Sequence, residues 1–251
     1  VGIAHLMEPF PNNGDKKWGI SVPFSLDTYA WLPEGQIRTR SHGKIRNIPL
    51  TLPSATPLIN PSASFPEIGY VLTNPSWYGS NNNNNRYEGV DNLNIGKLSV
   101  LNTNNQRIQQ NLLVGKGPQR GAFHLKSGNI FVFNAKSGTI QVFDASRQIL
   151  KKTIALPTAD NESNAIRWEN FTFIGINEHG NWLYFFKDRK IIAIEINPLT
   201  LEKTSRQFTK IVRSDLTPTI NPGGNKLTII KNLVTGIEVY DIAQTCPFDP
   251  A

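Results

Sequence analysis

The chain of 251 residues has one cysteine, Cys246, one methionine, and no apolar run long enough to span a bilayer. A single cysteine excludes an internal disulfide and leaves either an inert thiol or one that pairs outside the chain. Because a membrane-spanning helix needs about 18 consecutive apolar residues, we expect no transmembrane segment. The sequence also lacks a Gly-x-Ser-x-Gly elbow, a Gly-x-x-x-x-Gly-Lys phosphate loop and a Cys-x-x-Cys pair, so the common catalytic motifs are missing.

The residues that most often serve as metal ligands or general bases are few and scattered. The four histidines, at His5, His42, His124 and His179, show no metal-ligand spacing. Asp144 and Asp241 each close a predicted strand at equivalent positions, which favours a structural role in turns. We therefore expect no catalytic residue, no metal and no cofactor.

What the sequence does contain is a repeated strand–turn–strand unit. Thr-Pro-Thr-Ile-Asn-Pro opens one copy over 217–232, and Thr-Pro-Leu-Ile-Asn-Pro opens its echo over 56–74. Further copies cover 121–134 and 171–186, and three copies carry Gly-Asn in the turn, at Gly128, Gly180 and Gly224. Gly and Asn accept the positive φ of tight turns, and the flanking runs are β-branched and aromatic. Each copy therefore predicts a hairpin with its glycine in an equivalent turn.

A third strand follows each hairpin, at 138–144, 189–196 and 236–241, and 96–102 is the same strand of the preceding unit. The spacing from Leu98 to Ile140, Ile192 and Ile237 is 42, 52 and 45 residues in turn. This period is typical of a four-stranded propeller blade. Fourth strands are predicted at 107–114 and 149–156. Alternation along the third strands predicts burial of Leu98, Val100, Ile140, Val142, Ile192, Ile194, Ile237 and Val239.

One segment of this repeat resembles a known family. Leu98-Ser99-Val100-Leu101-Asn102, then Gly115-Lys116-Gly117-Pro118, then Gly128-Asn129-Ile130-Phe131-Val132-Phe133-Asn134 resembles one repeat of the YVTN-type (YncE-like) propellers. The resemblance is good over 96–144, looser over 165–242, and limited to the 56–74 echo before 96. It implies a β-propeller and an exported protein, periplasmic or extracellular. The shared positions are turn and core residues, so the resemblance transfers no catalytic site.

These observations together predict an all-β protein with a single domain over 1–251, an irregular β-propeller of five or six four-stranded blades. The repeats are clearest over 96–242, and 22–95 is irregular and rich in Pro and Asn. The expected function is a non-catalytic binding and assembly module, a scaffold within a larger extracytoplasmic complex. A carbohydrate-binding, lectin-like propeller and a lactonase-like propeller enzyme are the alternatives.

The net charge of +7 predicts attraction to anions. Its clearest cluster alternates with uncharged residues, which puts all five members on one face of an extended segment: Arg38, Arg40, His42, Lys44 and Arg46. We expect this basic strip to bind a protein partner, or an anionic surface or glycan. Nucleic acid fits less well, because no aromatic residues are interleaved with the charges. The alternative is a solvated outer strand whose charges discourage edge pairing.

Two further clusters are candidate binding sites. Arg120, Arg167 and Arg213 precede the three turn glycines by 8 to 13 residues, near the predicted start of the innermost strands. They either converge on one anion, which guanidinium groups bind in a fork, or are scattered surface residues. The other cluster flanks a run of five asparagines and either contacts a sugar or belongs to a polar loop: Trp77, Tyr78, Arg86 and Tyr87.

Overall fold

The chain folds almost entirely into antiparallel β-strands, which confirms the all-β prediction. The computed structural model describes residues 6–7, 19–20, 28–32, 36–41, 44–49, 55–58, 68–73, 95–102, 105, 107–157, 166–214, 216–221, 223–232, 236–243 and 247–250. The chain consists of two compact units, residues 1–118 and 119–251. That these form a single domain over 1–251 stays a prediction. Over these described ranges, no helix has the length and apolar character to cross a membrane.

The first unit contains two sheets whose strands pair in chain order. Sheet 1 has five strands: β1 Leu6–Met7, β2 Gly19–Ile20, β3 Thr28–Leu32, β4 Gln36–Ser41 and β5 Lys44–Pro49. Sheet 2 has four: β6 Ala55–Leu58, β7 Ile68–Thr73, β8 Ile95–Asn102 and β9 Arg107–Lys116. The pairing of β6 with β7 confirms that the 56–74 echo forms a hairpin.

The second unit is built from three four-stranded sheets, each again paired in chain order. Sheet 3 contains β10 Pro118–His124, β11 Asn129–Asn134, β12 Thr139–Asp144 and β13 Ile149–Ala155. Sheet 4 contains β14 Thr172–Ile176, β15 Trp182–Lys187, β16 Lys190–Ile196 and β17 Lys203–Ile211. Sheet 5 contains β18 Thr219–Ile220, β19 Lys226–Asn232, β20 Gly236–Asp241 and β21 Asp249–Pro250.

The three turn glycines occupy the same place in these sheets. Gly128, Gly180 and Gly224 each lie between the first and second strand of their sheet, with φ of 65°, 72° and 72°. Such left-handed backbone favours glycine, because a side chain there crowds the following carbonyl. All three glycines therefore lie in a hairpin turn, as predicted. The turns of sheets 4 and 5 are alike, since the glycine N–H donates to a carbonyl three residues back, whereas Gly128 N–H donates to the carbonyl of His124, four residues back.

The core of the second unit lies between neighbouring sheets. Phe133 of sheet 3 packs edge-on against Phe185 of sheet 4, with ring centroids 5.3 Å apart, in a cluster that also contains Trp168 and Phe173. Because side chains alternate across a strand, the opposite face of sheet 4 packs on sheet 5, and Trp182 belongs to that second cluster. Sheet 4 is therefore covered on both faces, and residues 182–186 of β15 and 191–194 of β16 are all buried.

Six of the eight predicted core residues are buried: Leu98, Val100, Ile140, Val142, Ile192 and Ile194. The prediction was wrong for Ile237 and Val239, which are 65% and 41% exposed. In β20 the face that packs toward sheet 4 carries Tyr240 instead, so Ile237 and Val239 lie on the other face. Sheet 5 is the last sheet of the second unit, and in the part of this unit that the structure describes no further sheet follows to cover that face.

Candidate functional site

An asparagine side chain organises the hairpin turn of sheets 4 and 5. The N–H groups of Asn181 and Trp182 donate to Oδ1 of Asn177 at 3.0 and 2.9 Å. Asn221 accepts the two equivalent hydrogen bonds at 3.1 and 2.9 Å. Both turns have the sequence Asn-x-x-Gly-Asn, so the first asparagine of this pattern is the signal that indicates the side-chain cap.

Sheet 3 has no such asparagine; its first strand ends at His124, four residues before Gly128, whereas the asparagines of sheets 4 and 5 lie three residues before their glycines. The ring is 6% exposed, and it lies 2.8 Å (Nε2) from the carbonyl oxygen of Glu178 and 2.7 Å (Nδ1) from Ser127 Oγ. Burial holds the pKa of His124 below its usual range, which favours the neutral ring. Nε2–H then donates to the carbonyl, and Nδ1 accepts from the serine hydroxyl. Both nitrogens are occupied, so His124 links sheet 3 to sheet 4 rather than serving as an open base.

Glu178 continues this connection to the next sheet. Its carboxylate pairs with Lys126 of sheet 3 at 2.7 Å, and the hydrogen bond from that ammonium group lowers the pKa of Glu178. The Glu178 N–H donates to the Gly224 carbonyl of sheet 5 at 2.7 Å. We call this group the turn cluster: His124, Lys126, Asn177, Glu178 and Gly224. It joins the hairpins of three successive sheets, so its polar groups have a structural role.

The acids at the ends of two third strands are also engaged locally. Asp144 accepts from Ser146 Oγ at 2.7 Å and from the N–H of Arg147 at 3.0 Å. Asp241 accepts from the N–H of Ala243 at 2.9 Å and pairs with Lys226 at 3.0 Å. These four contacts agree with the structural role in turns that was predicted for the two aspartates. Over the residues that the structure describes, no three His, Cys, Asp or Glu side chains are grouped so as to hold a metal ion.

The last strands of four sheets share a basic composition. The strands β5, β9 and β13 each carry two Lys or Arg residues, β17 carries three, and none of the four contains Asp or Glu. The last strand of sheet 5, β21, departs from this pattern because it is Asp-Pro. Each of these four strands lies at the edge of its own sheet, so nine of the 26 Lys and Arg residues of the chain lie on acid-free edge strands. The inner strands β4 and β19 also carry two cations and no acid.

The best-described of these edges is β17, whose cations rest on aromatic rings. The guanidinium of Arg206 lies 5.3 Å from the ring centroid of Trp182 and pairs with Glu195 at 2.8 Å. The ammonium of Lys210 lies 4.3 Å from the ring centroid of Tyr240 in sheet 5, within the range of a cation–π attraction. Phe208 packs edge-on against Trp182 with centroids 5.4 Å apart. The sequence did not indicate β17, because its nine residues are mostly polar and carry only two large apolar side chains.

The register of β4 and β5 corrects the expected geometry of the basic strip. These residues form two paired strands rather than one extended segment, and Thr39 lies opposite Arg46 while Arg38 lies opposite Asn47. Directly paired positions share a face and successive positions alternate. The single shared face was therefore wrong: the positions of Arg38 and Arg40 lie on one face, and those of Lys44 and Arg46 on the other. His42 falls outside the described residues.

The other candidate residues are only partly placed. Arg120 lies within β10, whereas Arg167 precedes the short 3₁₀ helix before β14 and Arg213 lies in the connection from β17 to β18. All three are exposed, but they do not occupy equivalent positions, and their convergence on one anion stays a prediction. Trp77, Tyr78, Arg86 and Tyr87 lie outside the described residues, so the proposed sugar contact also stays a prediction.

Comparison with known proteins adds little to this geometry. No protein-family model matches the chain, and none of the curated proteins matches it. Among solved structures, a chain titled Kuenenia stuttgartiensis Hydrazine Synthase is similar, with a TM-score of 0.40 and 21% identity. The match covers 59% of this chain and 40% of that one. A match this partial supports no statement about the function of this chain.

Proposed function

We propose that the chain is a β-propeller that acts as a non-catalytic binding and assembly module for an anionic partner. The propeller form is supported by the first strands of sheets 3, 4 and 5, which lie side by side. A Cβ on Gly175 of β14 would stand 3.9 Å from Ala122 of β10 and 3.4 Å from Ile220 of β18. Successive blades of a propeller bring their innermost strands together in this way.

The observation that carries the binding function is the basic, acid-free composition of the outer strands. These four strands together carry nine Lys or Arg residues and no acid, whereas a proportional share of the 19 acids of the 251-residue chain would be about two. Clustered like charges at exposed edges attract an anionic partner and steer it in a salt-dependent way. The partner class is therefore a protein with an acidic surface, within an assembly, and the exported location belongs to the same proposal.

The acidic residues and the buried histidine of the second unit hold turns together, which supports a non-catalytic role. His124, Asp144, Glu178 and Asp241 each have hydrogen-bond or ion-pair partners that hold turns together. An active site instead needs such groups aimed at a substrate. The polar side chains of the second unit therefore fit a scaffold better than a reaction centre.

The test compares two double variants that carry the same net charge. Lys151→Gln with Lys152→Gln removes two charges from the last strand of sheet 3, β13. Lys136→Gln with Arg147→Gln removes two exposed charges from the same sheet, one in the 3₁₀ helix Ala135–Ser137 between β11 and β12 and one in the loop between β12 and β13. Binding to fluorescently labelled poly-L-glutamate is measured by anisotropy at about 50 and about 300 mM salt. We expect the outer-strand variant to bind about 3–10-fold more weakly and the control within about twofold of the parent.

Two outcomes would overturn the proposal. The first is absence of salt-sensitive binding by the parent chain, because a basic binding surface must lose affinity as salt screens it. The second is an equal loss in both double variants, since that would mean net charge rather than the outer strands determines binding. Melting temperatures of all three proteins, which we expect to be the same within about 2 °C, exclude unfolding as the cause.

A further inference from the structure

The backbone of β17 presents an open row of hydrogen-bonding groups. This strand is the last of sheet 4, and no strand in the described part of the chain pairs with its outer edge. Val212 N–H donates to the carbonyl of Arg189 at 2.8 Å, immediately beyond the paired residues Lys190 and Ile211. Hydrogen-bonded and non-hydrogen-bonded pairs alternate along an antiparallel ladder. It follows that the backbone N–H and C=O groups of Lys210 and Phe208 form hydrogen bonds with β16.

The same alternation fixes which groups point away from the sheet. Gln207, Thr209 and Ile211 occupy the non-hydrogen-bonded positions, so their N–H and C=O groups face outward. An incoming strand pairs with such a row, and its side chains then lie beside those of the edge strand. β17 is nine residues long, which is ample for several backbone hydrogen bonds.

The side chains along β17 offer both charge and apolar surface. Neither Lys203 nor Lys210 has an acidic partner among the described residues, whereas Arg206 is already paired with Glu195. Phe208 and Ile211 are 40% and 76% exposed. The two lysines lie on opposite faces of β17, because Lys210 is opposite Ile191, Lys203 is opposite Ile196, and these isoleucines belong to the two different core clusters. Two unneutralised ammonium groups beside exposed apolar side chains therefore fit a segment that carries acidic residues on both of its faces.

The same charges decide against a second copy of this chain as the occupant. Pairing β17 with β17 of another copy would bring Lys203 and Lys210 of both copies to one shared edge, with only Arg206 of each copy paired to an acid, and like charges on neighbouring strands are destabilising. Lysines on edge strands prevent such self-pairing. An acidic strand meets attraction where a copy meets repulsion, so the charge that blocks self-association also selects the partner.

We propose that β17 binds an extended acidic segment of a partner protein, which adds to the outer edge of sheet 4 as a fifth strand. This rests on the proposed binding function and names its partner more closely. Backbone pairing with the outward groups of residues 207–211 supplies the strand geometry, and Lys203 and Lys210 select acidic side chains.

The decisive variant is Thr209→Pro, compared with Thr209→Val. Proline removes the outward N–H at 209 without removing a bond to β16, and an edge strand tolerates proline where its N–H faces solvent. Valine keeps the N–H and the strand preference. The probe is a fluorescein-labelled Glu-Thr peptide of about nine residues, matched to the length of β17, in which pairs of Glu alternate with pairs of Thr so that both faces of the strand carry acids. The control probe replaces each Thr with Pro at unchanged charge.

We expect the parent and Thr209→Val to bind the Glu-Thr peptide with affinities within about twofold, and Thr209→Pro to bind it at least about tenfold more weakly. The proline-containing peptide should also bind at least about tenfold more weakly to the parent. Lys203→Gln with Lys210→Gln should weaken binding about 3–10-fold in low salt. If Thr209→Pro fails to fold, the peptide comparison and this lysine pair decide the question.

Equal binding of the two peptides, or of the Thr209→Pro and Thr209→Val proteins, would overturn strand addition. An unchanged affinity in the lysine variant would overturn the acidic selectivity. Poly-L-glutamate separates the two proposals: retained, salt-sensitive binding of the polymer with no loss in the β17 variants leaves the binding function intact and rejects β17 as the site. If the parent binds neither probe, both proposals are rejected.

Discussion

Replacing Gly224 with alanine tests whether the hairpin turns of sheets 4 and 5 are in contact. A Cβ at this position would stand 2.7 Å from the Glu178 nitrogen and 3.0 Å from the Asn177 carbonyl carbon. These are backbone atoms, so no side-chain rotation relieves the clash. Gly128 provides the matched control, because its φ of 65° is close to the 72° of Gly224 and nothing lies within 4 Å of an added Cβ.

The expected cost has two parts. Left-handed backbone costs an alanine about 1–2 kcal/mol, and this applies equally to both positions. At Gly224 the overlap adds about 1–3 kcal/mol, as is typical of inserting a methyl group where there is no room. The hydrogen bond from Glu178 N–H to the Gly224 carbonyl is strained by the same displacement. We therefore expect Gly128→Ala to cost about 1–2 kcal/mol and Gly224→Ala about 2–5 kcal/mol.

Urea unfolding followed by circular dichroism measures both variants against the parent, and calorimetry gives their melting temperatures. For a chain of this size 1 kcal/mol corresponds to about 2–4 °C, so Gly224→Ala should melt several degrees below Gly128→Ala. Equal destabilisation of the two variants, within about 0.5 kcal/mol, would refute the contact between the turns. It would also remove the step by which the turn cluster links sheet 4 to sheet 5.

The remaining predictions concern the core, the buried histidine and the basic strip. Val142→Ala should lower the free energy of unfolding by about 1–3 kcal/mol, because Val142 is fully buried. Val239→Ala should change it by less than about 0.5 kcal/mol, because Val239 is exposed. Urea titration of both variants checks which residues of the third strands face the core. Burial lowers the pKa of His124 in the folded protein, so as the pH falls the histidine is protonated first in the unfolded chain. The neutral, buried ring therefore contributes its full stabilisation above about pH 6.5. That stabilisation falls as the pH drops toward the folded-state pKa, by at most about 1.4 kcal/mol per pH unit. Unfolding of the parent and of His124→Gln at several pH values should show a shallower pH dependence in the variant, and parallel curves would contradict this. Replacing Lys44 and Arg46 of β5 with Ser should weaken the salt-sensitive binding of poly-L-glutamate more than replacing both arginines of β4, since only β5 is the last strand of its sheet. If anisotropy shows an equal loss for the two variants, the last strands are not the binding surface.

Local signals identified much of the fold. The hairpin over 171–186 was predictable because an Asn-x-x-Gly-Asn turn separates two runs of β-branched and aromatic residues, and the structure places β14 and β15 there. The strand β17 was not found, because a solvated edge strand needs no apolar alternation to form its ladder with β16. The candidate site follows the same division. The sequence showed the basic strip at 38–46, but not that acid-free basic strands recur at sheet edges.

The sequence by itself determined the all-β class, the repeating hairpins and the need for glycine at Gly128, Gly180 and Gly224, because turn conformation and alternation depend on neighbours along the chain. Tertiary structure decided which apolar face is covered. Ile140 and Ile237 occupy similar places in their strands, yet only Ile140 is buried, since a following sheet packs on one and none of the described second unit packs on the other. Tertiary structure also brought His124 to the carbonyl of Glu178, 54 residues away. Contacts between sheets depend on how separate hairpins pack against one another, and a local sequence pattern does not predict a contact between residues so far apart in the chain.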